Sequence, residues 1–505
     1  MSVKSILARP YASVVQRQIL KWAKDTVRMQ EYLFHKLIND GKKTTFGKQH
    51  KFENITTYED FVRQVPLANY EDFIPYIEEI KNGGENILWK GRPLYFAKSS
   101  GTTSGVKYIP ITRDSIPNHI DTARNALLMY IAETGNIRFV DGKMIFLSGN
   151  PELDKTGDIL TGRLSGIVNH HVPRYLRGNQ LPSYQTNCIE DWEEKLEKIV
   201  EETWNQDMRL ISGIPPWVQM YFEKLLEKSG KKNIIEMFPN LSLLIYGGVN
   251  FEPYEAKLFN TIGKKIDSIE TYPASEGFIA FQSSQKEEGL LLNVDSGIFF
   301  EFVPAEQIFS QNPGRLQLKD VETDKNYAVV ISSNAGLWAY SIGDTIKFIS
   351  KDPYRILVTG RTKHFISAFG EHVISEEVES ALMKAVEEEE LEVVEFTVAP
   401  QVNPPDQDLP YHEWLVEFTK MPASLDRIRL KIDRYLRGKN IYYDDLISGN
   451  ILQPLKITLI QHDGFRNYMK SVGKLGGQNK MPRLSNDRQL ADALQPWVLK
   501  GEPAK

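Results

Sequence analysis

Residues 95–112 read YFAKSSGTTSGVKYIPIT. Two apolar, β-like runs flank seven consecutive small residues, Ser99 to Gly105, every one Gly, Ser or Thr. Glycines let a backbone turn tightly and bring its N–H groups close to an anion, and the hydroxyls add further donors. A turn of this composition suits the oxygens of a polyphosphate. It has neither the G-x-x-x-x-G-K-[ST] spacing of a Walker loop nor the G-x-G-x-x-G of a dinucleotide turn.

Outward from this turn, strand-like segments alternate with helical ones. KMIFLSG (143–149), LSLLIYGGV (241–249) and DSIETYPASEG (267–277) are expected as strands ending in Gly- or Ser-rich turns. Between them IEDWEEKLEKIVEETW sets Trp192, Leu196, Ile199, Val200 and Thr203 on one helical face. The alternation argues an α/β sheet, in which ligands sit at the carboxyl ends of the strands. The first forty residues read as helix, with Val14, Val15, Ile19, Trp22 and Ala23 sharing a face. TYEDFVRQV and NYEDFIPYI each put an N-cap residue (Thr57, Asn69) three positions before an Asp (Asp60, Asp72), so two capped helices are expected there.

After residue 289 short strands follow one another in a β-rich subdomain, and GRTKHFISAFGEHVISEEVE begins a small α+β unit. The expected division is a large α/β domain over 1–360 and a smaller, mobile domain over 361–505. A chain of 505 residues and 57.9 kDa exceeds what one core supports. A net charge of −5 leaves no basic footprint for a nucleic acid. Cys188 is the only cysteine, which excludes an intrachain disulfide and a cysteine-based zinc site and fits a reducing, cytoplasmic setting. Arg9, Pro10 and Arg17 interrupt any leader-like apolar run, and nowhere do 18 apolar residues follow one another, so neither a signal peptide nor a membrane span is expected.

Three further motifs carry chemistry. In TYPASEG (271–277), a Tyr at a strand end can stack on a purine, and a carboxylate four residues on can hold Mg²⁺. In YSIGDTIKF (340–348), an Asp after a Gly in a tight turn can accept both hydroxyls of a ribose. GKLGGQNKMPRL (473–484) is a Gly-rich basic loop offering Lys474 and Lys480.

The pattern SSGTTSG followed by KYIP resembles the phosphate loop of the adenylate-forming superfamily. Within it the chain looks most like the auxin-responsive acyl acid amido synthetases, with motifs in the expected order along nearly the whole sequence. The resemblance implies an ATP- and Mg²⁺-dependent ligase that adenylates a small carboxylic acid and passes the acyl group to an amino acid. It assigns Ser99, Ser100, Gly101, Thr102 and Thr103 to the phosphates, and Val249, in YGGVN, to the adenine pocket with Tyr272 and Ser275. It gives Glu276 to the metal, Asp344 to the ribose and Arg361, at the domain junction, to the nucleotide. Either lysine of the last loop is available, and the QNKMPR frame selects Lys480 as the catalytic cation. The sequence departs from the family at Ser341, where plant members often have Arg, and FISAFGEHVISEEVE is closer to the superfamily at large. Arg124, in an apolar helical segment, is expected to be exposed or capped; His170 and His171 lack a third metal ligand nearby. An acyl- or aryl-CoA ligase shares the first half-reaction, and a catalytically silent nucleotide-binding protein shares the fold. KYIP and QNKMPR favour amide formation.

Overall fold

The two YEDF segments start where their caps dictate. Thr57 accepts from the Asp60 N–H at 3.1 Å while the Asp60 carboxylate accepts from the Thr57 N–H at 3.0 Å, and the helix Tyr58–Gln64 follows. Asn69 and Asp72 repeat the device for the helix Tyr70–Lys81. The computed structural model describes residues 3–100, 106–172, 177–248, 251–362, 365–366, 368, 371, 373–402, 404, 409–448, 451–476, 480–485 and 487–499. Within them the N-terminal forty residues form two helices, Val3–Lys24 and Thr26–Gly41. Val15, Ile19 and Ala23 are buried as their spacing requires, but Val14 is 49% exposed. It lies one residue round the helix from Val15, beyond the edge of the buried stripe.

The strands Lys143–Phe146, Met208–Ser212, Leu243–Gly247 and Asp267–Ala274 lie side by side and parallel. Helices cover both faces. Trp192–Thr203, Pro215–Ser229 and Glu252–Ile262 bury one apolar set, including Leu196, Val218 and Leu258, against Ile211 and Leu244. Val3–Lys24 and Ile116–Thr134 bury another, including Ile19 and Met129, against Leu210, Leu243 and Ile269. Two-sided burial explains why these strands read as continuous apolar runs rather than alternating ones.

The β-rich region beyond residue 289 is continuous with this sheet. Leu290–Leu292 pairs antiparallel with Gly277–Phe281, and Tyr354–Arg361, Tyr340–Lys351, Asn326–Ser333 and Ile298–Pro304 extend the same twelve-stranded sheet. Tyr95–Ser100 and Val106–Ile111, which flank the hydroxyl-rich turn, belong to a separate four-stranded sheet, paired antiparallel with Ser100 opposite Val106.

Residues between Ile366 and Leu484 bury a core of their own, built from the strands Val393–Gln401, Tyr411–Phe418 and Lys456–Leu459 and the helices Ser375–Glu388 and Leu425–Lys439. The segment that carries Lys480 is tied to this unit by backbone bonds. The Val398 N–H donates to the Arg483 carbonyl and the Ser485 N–H to the Val398 carbonyl, both at 2.9 Å. Lys480, three residues before Arg483, is therefore anchored to the small unit.

Candidate active site

The strand Asp267–Ala274 turns into Gly277–Phe281 through Ser275 and Glu276 alone, with Ala274 opposite Gly277. This hairpin projects the TYPASEG side chains at the carboxyl end of the last parallel strand, the location expected of a ligand site in such a sheet. Tyr272 is 7% exposed, and its hydroxyl donates to Asp344 Oδ2 at 2.6 Å. Burial and the facing carboxylate hold that phenol well above its ordinary pKa.

Asp344 owes its position to Gly343, whose φ of +83° makes the turn a side chain would strain. The Thr362 N–H donates to the Gly343 carbonyl at 2.8 Å, and Asp344 pairs in register with Arg361. Arg361 Nε lies 2.9 Å from Asp344 Oδ1. Both carboxylate oxygens are engaged, one by a phenol and one by a guanidinium. Each oxygen keeps a second acceptor position, which is what two ribose hydroxyls need. The Asp344 charge in turn raises the Arg361 pKa.

Glu276 has few partners. The Tyr340 hydroxyl donates to its Oε1 at a long 3.5 Å, and burial raises its pKa, opposed first by the charge of Lys107. A half-buried carboxylate with unused acceptor capacity fits Mg²⁺, which takes one or two protein carboxylates and completes its shell with phosphate oxygens and water. Among the described residues no group of three or more His, Cys, Asp or Glu is arranged to hold a metal ion.

Lys480 enters this cluster from the small unit. It is an exposed residue whose ammonium reaches the cleft and donates to the Gly248 carbonyl. A Cβ at Gly248, where φ is +83°, would lie 2.6 Å from the lysine nitrogen, so the second glycine of YGGVN makes room for the lysine. Desolvation brings the Lys480 pKa down to about 8, with Asp344 opposing and Arg361 adding to the fall. Lys474 is exposed, three residues beyond the helix Gly464–Ser471, and its backbone N–H donates to the Met469 carbonyl at 2.8 Å.

Tyr272, Glu276, Asp344, Arg361 and Lys480 thus form one interacting cluster, with Ser275 beside Glu276 in the hairpin turn and Ser99 next to the end of the strand leading into the hydroxyl turn. Gly101, Thr102, Thr103 and Val249, and the side chain of Ser100, lie outside the described residues. Arg124 pairs with Asp121 at 2.9 Å, in accord with its expected capping. His170 Nε2 contacts the Pro151 carbonyl at 2.9 Å and His171 Nε2 the Tyr95 hydroxyl at 3.1 Å, so each histidine has a hydrogen-bonding role.

Two residues at the cleft's edge had no sequence signal of their own. Arg483, three positions after Lys480, donates from Nη2 to the Tyr254 hydroxyl of the large unit at 2.7 Å. It also pairs with Glu379 at 3.2 Å and with Glu395, both in the small unit. Tyr254 in turn donates to Glu395 Oε2 at 3.4 Å. Outside the cleft, Lys470 and Glu193 add an ion pair at 2.8 Å between the units.

Comparison with known proteins agrees with this fold. The chain matches the GH3 family N-terminal domain over residues 15–183, the central domain over 291–361 and the C-terminal domain over 376–489. It is 21% identical to indole-3-acetic acid-amido synthetase GH3.3 of Arabidopsis thaliana, covering 99% of this chain and 97% of the relative. Jasmonoyl–L-amino acid synthetase JAR4 of Nicotiana attenuata is 23% identical over 74% of this chain and 76% of its own. The solved structure of AtGH3.15 acyl acid amido synthetase in complex with 2,4-DB superposes with a TM-score of 0.79 at 14% identity, over 97% of this chain and 96% of that one. A 2-hydroxyisobutyryl-CoA ligase in the postadenylation state reaches 0.59 at 12% identity, over 93% and 90%. With all three domain types matched in order along one polypeptide, this chain belongs to the GH3 family.

Proposed function

We propose that the protein is an ATP-dependent acid–amino acid ligase working in two half-reactions. A carboxylate oxygen of the acid attacks the α-phosphorus of ATP, giving an acyl adenylate and pyrophosphate. The amine of an amino acid then attacks the acyl carbon, forming an amide and releasing AMP. The observation that carries this reading is the Lys480 ammonium, delivered from the small unit into the cleft beside Asp344 and Arg361.

Each residue has a role suited to its surroundings. Tyr272 supplies a ring for the adenine and holds Asp344 through its hydroxyl, and Asp344 accepts from the ribose. Arg361 fixes the other Asp344 oxygen and adds positive charge near the phosphates. Ser99 to Thr103 donate to the phosphate oxygens, and Val249 borders the base. Glu276 would hold Mg²⁺, which when bound neutralises phosphate charge. Negative charge builds on the α-phosphate and leaving pyrophosphate only during adenylation, so a lysine aimed there stabilises the transition state more than the ground state.

Related folds make thioesters as well as amides, and the relatives named above as amido synthetases favour the amide here. The deciding experiment supplies ATP, Mg²⁺ and a panel of carboxylic acids and follows pyrophosphate. Free amino acids should stimulate release and yield an amide together with AMP. Stimulation by CoA instead, with a thioester product, would overturn the reading.

A further inference from the structure

At the carboxyl edge of the parallel strands a second glycine gives way to a cation. A Cβ at Gly149 would lie 2.8 Å from Arg163 Cδ, much as one at Gly248 would meet Lys480. Phe146, Ser212 and Ile245 are aligned across three neighbouring strands, and each glycine stands three residues past the aligned residue of its own strand. Two strand spacings, about 10 Å, therefore separate the points where Arg163 and Lys480 cross the sheet edge. The loop that carries Lys480 spans the same edge. Gly476 lies against the Trp192 ring, where a Cβ would be 2.6 Å from Cδ2, and Lys195 is one turn further along the helix Trp192–Thr203.

Among the described residues no carboxylate pairs with Arg163 or with Lys195. Arg163 is half-buried and has no hydrogen-bond partner there, and desolvation holds its pKa down. The buried Lys195 ammonium donates to two neutral acceptors, the Ser148 carbonyl at 2.9 Å and the Asn187 carbonyl at 2.7 Å. Desolvation brings its pKa to about 8, and the Arg163 charge adds to the fall. The buried Ser148 and Ser165 hydroxyls and the Asn187 amide likewise lack partners among the described residues. The segments 101–105 and 173–176, which adjoin the hydroxyl-turn strands and the helix after Arg163, contain no Asp or Glu. Unpaired charge and idle donors at this depth are costly until a ligand completes them.

Resting on the ligase reading above, we propose that Arg163, backed by Lys195, holds a second carboxylate of the acid substrate, so that the enzyme selects dicarboxylic acids. One carboxyl stands at the α-phosphate beside Lys480, and the other about 10 Å away, as across an extended chain or a ring system. The α-carboxylate of the acceptor amino acid does not suit that spacing, because it adjoins the amine that attacks the acyl carbon. Ser212, Gly213 and Ile214, at and just after the end of the intervening strand, are only half-buried and leave room for such a substrate to lie along the edge.

The test is acid-dependent ATP–pyrophosphate exchange with a length series of dicarboxylic acids and their monomethyl esters. The parent should favour the best diacid over its monoester by about tenfold or more in kcat/KM, the scale of one hydrogen-bonded charge. Arg163→Met should lower kcat/KM for that diacid by about 10- to 100-fold and leave the monoester and the KM for ATP as in the parent. Arg163→Lys should recover part of the loss. Because Arg163→Met removes an unpaired charge, its melting temperature should not fall. Equal use of diacid and monoester by the parent, or equal losses for both in Arg163→Met, would overturn the proposal. So would a loss confined to the KM of an acidic amino acid, which would assign the site to the acceptor. Absence of exchange with every acid would be a failure of the ligase reading instead. The site is then read by melting temperature alone, which the free diacid should raise in the parent and not in Arg163→Met; no difference between the two would overturn it.

Discussion

Tyr254→Phe removes one hydroxyl and tests whether docking of the small unit positions Lys480. Arg483 Nη2 donates to that hydroxyl at 2.7 Å, and the Arg483 side chain is only 11% exposed, so solvent screens the bond little. Hydrogen bonds to charged groups contribute about 1.5–3 kcal/mol. Arg483 keeps Glu379 and Glu395 in the variant, so the lower end applies, about 1.5 kcal/mol or roughly tenfold in the docking equilibrium. The phenylalanine ring retains the packing, including the guanidinium 5.8 Å from the ring centroid. Single-turnover adenylation should slow by about five- to tenfold with the KM for ATP unchanged. Amide formation from supplied acyl adenylate should keep the parent rate. Equal losses in the two half-reactions would show that Tyr254 matters to the fold rather than to docking, and no loss would remove the contact from the account.

The remaining expectations concern charge. Because Lys480 must be protonated to act and its pKa is brought to about 8, kcat/KM for ATP in adenylation should fall as pH rises through about 8, rather than near the ordinary lysine value. Bound triphosphate favours the ammonium, so the kcat limb should lie higher; Lys480→Arg should abolish both limbs, and amide formation from acyl adenylate should show neither. Glu276→Gln should raise the Mg²⁺ concentration needed for half-maximal adenylation while leaving the melting temperature in place; an unchanged Mg²⁺ titration would remove Glu276 from the metal. Glu301, fully buried, pairs with Arg315 at 2.7 Å and accepts from Tyr58 at 2.8 Å, so Glu301→Ala should destabilise the protein by about 3–5 kcal/mol in denaturant titrations. A loss below about 1 kcal/mol would mean that the Arg315 charge finds water instead.

The sequence made the sheet and most of the cleft readable for a physical reason. Strands buried on both faces leave apolar runs that composition alone reveals, and the turns at their ends keep Gly, Ser and Asp where backbone geometry demands them, as at Gly343. The two YEDF helices were legible because a capping box is local, each bond spanning two or three residues. What stayed hidden depends on contacts distant along the chain. Gly248 reads as an ordinary Gly-Gly turn until Lys480 is seen 232 positions away. Arg483 reads as a basic residue beside a catalytic lysine until its bond to Tyr254, 229 positions away, makes it a link between units. The occupation of both Asp344 oxygens by Tyr272 and Arg361 likewise comes from register across the sheet, as does the continuity of the later strands with the parallel ones.

The most direct test of the account is Lys480→Ala assayed in the two half-reactions separately. Loss of one preorganised cation at the developing charge should slow acid-dependent adenylation by about 10²–10³. ATP affinity should fall far less than the adenylation rate, and supplied acyl adenylate should still be converted to amide at a substantial fraction of the parent rate. Comparable losses in both steps would contradict the claim that this lysine serves adenylation alone, and a large loss in Lys474→Ala with none in Lys480→Ala would move the chemistry to the other lysine.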